Sequence, residues 1–425
     1  MIANALSSLG HIDEVVDYSL AIYFFFAAIP VFFIIRADIS KTNYKKKLIT
    51  SAVCLVFLGV IHLLFLPHPI LKTSFIKYSP VNYVRSLYDY FGRFHRQMNQ
   101  GVKRVSLSNF YEFSRQKKTE NLNIILVIGE SLRADHVNLN GYTRVTMPRM
   151  ATTPNLLNFT VAASFNATTG SLTSMLSHRT KADFVDIPPE KSIVALFGEI
   201  GFKTHWYSAQ SSKEFGNGML TILASEAEDY FFRDRLQAVN RLDNIYDEAL
   251  LPYLDKVVQG SGDNFVVLHT FGSHIRTHNR YPKNFKIFQP ECLTAESSCK
   301  DNEVLNSYDN SVLYTDYFLS RVIDSLKNTN SILFFVSDHG IFLGENGVYA
   351  NGNSDQSDSV MNQVPMFFYM TDKLVKNKFY REKFAFAKNK IALKNLSHDN
   401  LFDSLLDCAG VDSGLFVRGL SICQE

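Results

Sequence analysis

Five cysteines in 425 residues are too few for a disulfide-built scaffold, and 46% hydrophobic content leaves ample material for conventional cores. No internal repeat or low-complexity segment occurs, which excludes solenoid and tandem-array architectures. Charge of either sign is not in excess: 43 lysines and arginines face 41 acidic residues, for a net charge of +2. No basic run is interleaved with aromatics in the manner of an RNA-binding sheet, so nucleic acid is not an expected partner. A cleaved signal peptide also fits poorly. The stretch before Asp17 is acidic, and no small-residue cleavage site follows the first apolar run.

Uncharged runs, by contrast, are present. Ser19 to Ile35 is 17 residues without a charge, and Leu48 to Leu66 is 19 residues whose ionisable groups are only Cys54 and His62. Both are long enough to span hydrocarbon, which predicts two transmembrane helices over 19–35 and 48–66 and a membrane domain over 1–66. The connecting loop holds Arg36, Lys41, Lys45, Lys46 and Lys47 against Asp38 alone, so the positive-inside rule makes it cytoplasmic and puts everything after Leu66 outside the cytoplasm. Cys292 and Cys299 close the eight-residue loop CLTAESSC, a natural disulfide in an oxidising compartment and worth roughly 2.5 kcal/mol on a chain-entropy model. No second Cys or His pair lies nearby at the spacing of a structural zinc site. The sequence leaves the pairing of Cys408 with Cys423 open.

Residues 67–120 read as an interfacial helix and a basic linker. Tyr83, Leu87, Tyr90, Phe91 and Phe94 recur near helical spacing, with Arg85, Arg93 and Arg96 between them. From Asn121 onward, alternating β and α patterns predict an α/β domain over 121–425. Its informative feature is what stands at the strand ends. The apolar run Ile332–Val336 is followed by Asp338, His339 and Gly340; Ile124–Ile128 by Gly129, Glu130 and Ser131, with a helix expected to open at Leu132; and Phe265–Leu268 by His269, Thr270, Gly272, Ser273 and His274. One such dipeptide is ordinary turn chemistry. Three strands delivering carboxylate and imidazole groups at the same end point to a metal or phosphate in the crevice beyond them. In SFNATTGSLTSMLS, the i, i+3, i+4 spacing of Leu172, Met175 and Leu176 starts a helix near Thr168, Thr169 or Gly170, where a hydroxyl either caps the helix or meets its positive end, a place that favours a phosphate.

The segments GESLRADHVNLNGYTR, NATTGSLTSMLS, HTFGSH, CLTAESSC, NSYDNSVLYTDYFL and SDHGIFLGENGVY, in this order, resemble the bacterial phosphoethanolamine transferases of the alkaline phosphatase and sulfatase superfamily, the lipid A modifying branch most of all. The resemblance implies an inner-membrane anchor and a periplasmic α/β/α sandwich. It implies a Zn²⁺ cofactor, phosphatidylethanolamine as donor and a lipid A or other lipopolysaccharide-type glycan as acceptor. By the same resemblance Glu130, Asp338 and His339 match metal ligands. Thr168 matches the nucleophile, itself a ligand, with Thr169 as a one-residue alternative. His274, Lys213 and, more weakly, Gln210 match groups that contact the substrate phosphate.

Departures from the family pattern are specific. Asn351 stands where a second site histidine is usual; it can hydrogen-bond a phosphate but cannot act as a general acid. Ile341 replaces a common Glu, and Ile275 a common Gly. The family's full-length members carry more spans than the two visible here, so this is either a shortened member or a chain read from an internal start. Two other functions compete. A phosphoglycerol transferase shares the threonine and metal logic, and a membrane-anchored degenerate scaffold would keep the fold without the chemistry. Sulfate-ester hydrolysis is disfavoured because no C-x-P-x-R or S-x-P-x-R nucleophile motif occurs. The charge asymmetry makes one direct test: a reporter fused after Lys47 is expected to label as cytoplasmic and one after Leu66 as periplasmic, and the reverse pattern would overturn both the topology and the oxidising environment inferred from it.

Overall fold

The computed structural model describes residues 104–212, 218–240, 245–350, 359–393, 395–417 and 419–424. The two predicted spans, the interfacial helix, Lys213 and Asn351 lie outside these residues, and among the described helices none is long and apolar enough to cross a membrane.

The strands are β1 (Phe113–Arg115), β2 (Leu122–Gly129), β3 (Leu156–Ala162), β4 (Lys203–Ser208), β5 (Asp229–Phe231), β6 (Asn264–His269), β7 (Asn330–Ser337), β8 (Phe342–Leu343), β9 (Tyr349–Ala350), β10 (Gln363–Met370) and β11 (Val411–Ser413). Seven form one sheet in the order β3-β10-β7-β2-β6-β4-β5. β10 runs antiparallel to both neighbours. The pairs β7–β2, β2–β6, β6–β4 and β4–β5 are all parallel.

β2 and β6 are buried along their whole length, and β7 along all but its first residue. Continuous apolar runs of this kind are what a sheet covered on both faces requires. Alternation sorts them between two cores. Ile124, Leu126, Ile128, Phe265, Val267, Ile332, Phe334 and Val336 face one side, with Leu172, Met175, Phe197, Leu401 and Leu405 from the covering helices. Ile125, Val127, Val266, Leu268, Leu333 and Phe335 face the other, against Val304, Val312, Phe318, Leu319 and Val322 of the 26-residue helix Asp301–Leu326. The result is a three-layer α/β/α sandwich, as expected. Because β7, β2 and β6 are adjacent and parallel, their carboxyl ends open on one edge, and that register brings the strand-end motifs together.

Two local expectations change. After β2 the chain makes short 3₁₀ turns at Ala134–His136 and Asn138–Asn140 instead of an α-helix. Residues 104–120 are also not a free linker. β1 pairs with β11, Leu107 is buried in the core, and the Arg104 side chain is enclosed with its Nη1 2.7 Å from Glu226 Oε1. The same guanidinium donates to the Pro188 and Glu190 carbonyls at 3.1 and 3.0 Å. Burial pushes the Glu226 carboxyl up and Arg104 pulls it down, so removing the arginine would strand a buried acid. Arg104→Ala is therefore expected to destabilise the domain by ~3–5 kcal/mol, read as a lower urea midpoint; an unchanged midpoint would return this segment to the linker reading.

Candidate active site

Glu130 follows β2 directly, and Asp338 and His339 follow β7, so the parallel pairing of Gly129 with Ser337 sets them side by side. All three are at most 1% exposed, and one candidate ligand atom from each lies within 4.8 Å of the others. His339 Nε2 is 3.3 Å from Asp338 Oδ2 and 3.6 Å from Glu130 Oε1. The ring's other nitrogen, Nδ1, lies 2.7 Å from the Gly340 carbonyl oxygen. A carbonyl can only accept, so Nδ1 carries a proton and Nε2 is the nitrogen turned into the cluster, the posture of a metal-ligating histidine. Burial lowers the basicity of His339, but Asp338 and Glu130 outweigh it and hold the imidazole above its usual range.

The remaining valences are filled with care, except one. Glu130 accepts from the Ser131 hydroxyl (2.6 Å) at Oε1 and from Gln210 Nε2 (2.9 Å) at Oε2. Asp338 Oδ1 accepts from the backbone amides of Ser131 (3.0 Å) and His339 (2.8 Å). Asp338 Oδ2 is buried with no hydrogen-bond partner. An unpaired buried carboxylate oxygen aimed at a second carboxylate and an imidazole nitrogen fits a cation between them, since otherwise the desolvation of two acids is uncompensated. Oxygen and imidazole donors in this number suit a divalent metal.

Thr168 completes the arrangement. It is the first residue of the helix Thr168–Met175, whose N-cap, Ala167, offers no side-chain cap. The threonine hydroxyl is thus not a helix cap; it points at the cluster, with Oγ1 3.1 Å from Glu130 Oε2 and 3.3 Å from His339 Nε2. A hydroxyl, a metal-type ligand set and the positive end of a helix converge, which is the equipment for attack on a phosphorus centre.

The family model described as Sulfatase matches residues 122–411. The chain belongs to the sulfatase family. Among its relatives is the Kdo(2)-lipid A phosphoethanolamine 7''-transferase of Escherichia coli K12, 30% identical over 314 residues that cover 71% of this chain and 54% of the relative. The chain spans about half the length of the curated relatives it matches. Two solved structures are similar. One is the soluble domain of lipooligosaccharide phosphoethanolamine transferase A from Neisseria meningitidis (27% identity, TM-score 0.68, 75% of this chain and 97% of that one). The other is the C-terminal periplasmic domain of phosphoethanolamine transferase EptC from Campylobacter jejuni (29%, TM-score 0.64, 75% and 97%).

Within the sulfatase fold, the other residues singled out from sequence take different places. Gln210 uses Nε2 to hold Glu130 and the Thr270 carbonyl (3.0 Å), so it orients the Glu130 carboxylate and those hydrogens are already engaged. His274 is half-buried, stacks on Phe271 at 5.5 Å and keeps Nδ1 buried without a partner; burial pushes its pKa down to about 4, so it is neutral at physiological pH. Cys292–Cys299 and Cys408–Cys423 are both disulfides, which answers the pairing that sequence left open.

Three residues have supporting roles that the sequence does not announce. Ser131 sits at φ 58°, a left-handed conformation costly for a residue with a Cβ, and is held there by Tyr308, whose hydroxyl donates to the Ser131 carbonyl (2.8 Å) and accepts from the Arg133 amide (2.9 Å). Gly272, at φ 46°, lets the turn after β6 lie against Glu130: a Cβ there would fall 2.8 Å from the Glu130 carbonyl oxygen and 3.0 Å from its nitrogen. The glycine after a strand was visible in the sequence; the neighbour it accommodates was not. Backbone atoms cannot step aside as a side chain can, so Gly272→Ala is expected to displace Glu130 and weaken metal retention roughly 10- to 100-fold, the usual effect of disturbing the groups behind a ligand. Equilibrium dialysis of the folded variant measures this, and wild-type retention would show that Glu130 does not depend on the turn.

Proposed function

We propose that this protein is a zinc-dependent phosphoethanolamine transferase, carrying phosphoethanolamine from phosphatidylethanolamine to a lipid A-type acceptor on the periplasmic side of a bacterial inner membrane. The observation that carries the reading is the Thr168 hydroxyl within hydrogen-bond reach of both Glu130 and His339. A fold shared with sulfatases, a threonine in place of their nucleophile motif, and relatives named for phosphoethanolamine transfer to lipid A and lipooligosaccharide support it.

Glu130, Asp338, His339 and Thr168 would hold the metal, which when bound supplies Lewis-acid stabilisation of phosphoryl charge and a lower pKa for a nearby hydroxyl. Thr168 Oγ1 attacks the donor phosphorus, and its proton leaves along the hydrogen bond to Glu130 Oε2. The new bond joins threonine oxygen to phosphorus; the bond that breaks joins phosphorus to the glycerol oxygen, so diacylglycerol departs with one proton. A phosphate or sugar hydroxyl of the acceptor then displaces Thr168 and restores it. Neutral His274, near enough to Glu130 to feel its charge, donates its one N–H to a phosphoryl oxygen, while Lys213 and Asn351, outside the described residues, bind the donor's phosphate.

Incubating the full chain with zinc and phosphatidylethanolamine, without acceptor, is expected to release diacylglycerol and leave phosphoethanolamine on the peptide carrying Thr168 and Thr169. Thr168→Ala should abolish both signals, Thr169→Ala should leave them, and Thr168→Ser should keep part, since only a methyl group is lost. A label on Thr169 would move the nucleophile by one residue; diacylglycerol release by both alanine variants would defeat the threonine mechanism.

A further inference from the structure

His398 lies on a part of the chain that supplies no ligand, yet it touches both halves of the site. It is 1% exposed and stands at the N-cap position of the helix Asp399–Cys408, whose last residue is fixed by the Cys408–Cys423 disulfide. The His398 amide donates to the Ala162 carbonyl (2.9 Å) at the end of β3. Its ring then bridges two segments that are otherwise distant in sequence. Nδ1 accepts from the Ser164 amide at 3.2 Å, and Nε2 faces the Ser337 carbonyl at 2.9 Å. These partners leave no freedom of tautomer: an amide can only donate and a carbonyl can only accept, so Nδ1 is bare and Nε2 carries the proton.

What the bridge joins is informative. On one side, the Ser174 hydroxyl lies 3.0 Å from the Ser164 hydroxyl and the Ser171 hydroxyl donates to the Phe165 carbonyl (3.0 Å), so the 164–165 segment moves with the helix that begins at Thr168. On the other, Ser337 immediately precedes Asp338, pairs with Gly129, accepts from the Leu132 amide (2.7 Å) and lies 3.1 Å from the His339 carbonyl oxygen. Ser164 and Ser337 therefore report the positions of the nucleophile and of the ligand strand. We infer that His398 is a positioning residue whose ring fixes the Thr168 helix against the Asp338–His339 turn and so sets the hydroxyl-to-cluster distance. The inference rests on the reading of Thr168 as nucleophile for its catalytic consequence, but not for the bridge itself.

Two near-isosteric variants separate the two bonds. His398→Asn can keep an acceptor near Nδ1 while losing the reach to Ser337; His398→Gln can keep a donor near Nε2 while losing the bond to Ser164. In the full chain, hydrogen exchange of the peptides spanning 164–175 is expected to quicken in both variants relative to wild type, with exchange of the β2 and β6 peptides unchanged. That arm needs no activity, so it decides the bridge even if wild-type protein transfers nothing to Thr168, an outcome that would sink only the proposed function. Where wild-type transfers, kcat is expected to fall about 10- to 100-fold, the scale of a displacement near 1 Å at a reacting group. KM for phosphatidylethanolamine and zinc retention should be little changed. Wild-type exchange over 164–175 in both variants would overturn the inference, as would a loss of zinc retention that fully accounts for the loss of kcat.

Discussion

Two buried carboxylates beside one imidazole are the constraint from which the rest of this structure follows. Placing Glu130 and Asp338 in a dry strand-end crevice costs several kcal/mol per charge unless each oxygen finds a partner. The fold supplies donors one at a time: two backbone amides for Asp338 Oδ1, a serine hydroxyl and a glutamine amide for Glu130. Ser131 provides two of these, its amide to one acid and its hydroxyl to the other, from the left-handed conformation it occupies. Strain of about 1–3 kcal/mol at such a residue persists because the surroundings over-determine it. The oxygen left without a donor, Asp338 Oδ2, is also the one that faces His339 Nε2.

Much of that over-determination comes from the helix Asp301–Leu326. A helix packed on a sheet would ordinarily bury an apolar stripe alone, but this one also buries Tyr308, Asp309, Asn310, Ser311 and Asp316. Each has a counterpart on a loop. Tyr308 holds the Ser131 turn; Asp309 lies against His136 Nδ1 (2.7 Å) and accepts from Tyr142 (2.9 Å) and Arg144 (2.8 Å). Asn310 takes the amides of Ile287 and Phe288, the Ser311 hydroxyl lies 2.8 Å from that of Ser273, and Asp316 accepts from the Met150 amide. Hydrogen bonds to charged groups contribute about 1.5–3 kcal/mol each when satisfied and cost more when one partner is lost. The polar row thus makes the helix a common mount for the loops after β2 and β6, tying ligand geometry to the opposite layer of the sandwich.

How much of this could be read from sequence depended on whether a signal was local. Burial of β2, β6 and β7 on both faces demands unbroken apolar runs, so the strands and the polar residues at their ends were visible. Parallel pairing converted those three ends into one site. Thr168 was legible because helical spacing in Leu172, Met175 and Leu176 located a helix start, although the hydroxyl's choice of Glu130 over its own backbone was not. Partners distant in sequence left no trace. Gln210 is separated from Glu130 by 80 residues, Tyr308 from Ser131 by 177 and Arg104 from Glu226 by 122, and no spacing rule connects them. Arg104 to Glu120 looked like linker because its charges resemble a solvated run; the structure turns one of them inward to meet an acid and pairs three residues with β11.

The same division governs where variation can reside. The groups of the candidate site come from strand ends and one helix start, positions that a shared α/β/α scaffold fixes with little latitude. Variation within the family is then accommodated most cheaply by the loops around the crevice, which a rigid scaffold carries without being disturbed. Here the segment between His274 and Cys299 has that standing. It leaves β6 beside the site, exposes Ile287 and Leu293, and is closed by the Cys292–Cys299 disulfide. It is also pinned to the long helix through Asn310 and through the Ser307 hydroxyl, which accepts from the Cys292 amide at 2.8 Å. A loop tethered at several points along one helix presents its exposed side chains from a fixed base, so residues there can change without disturbing the strand-end groups that the helix also secures.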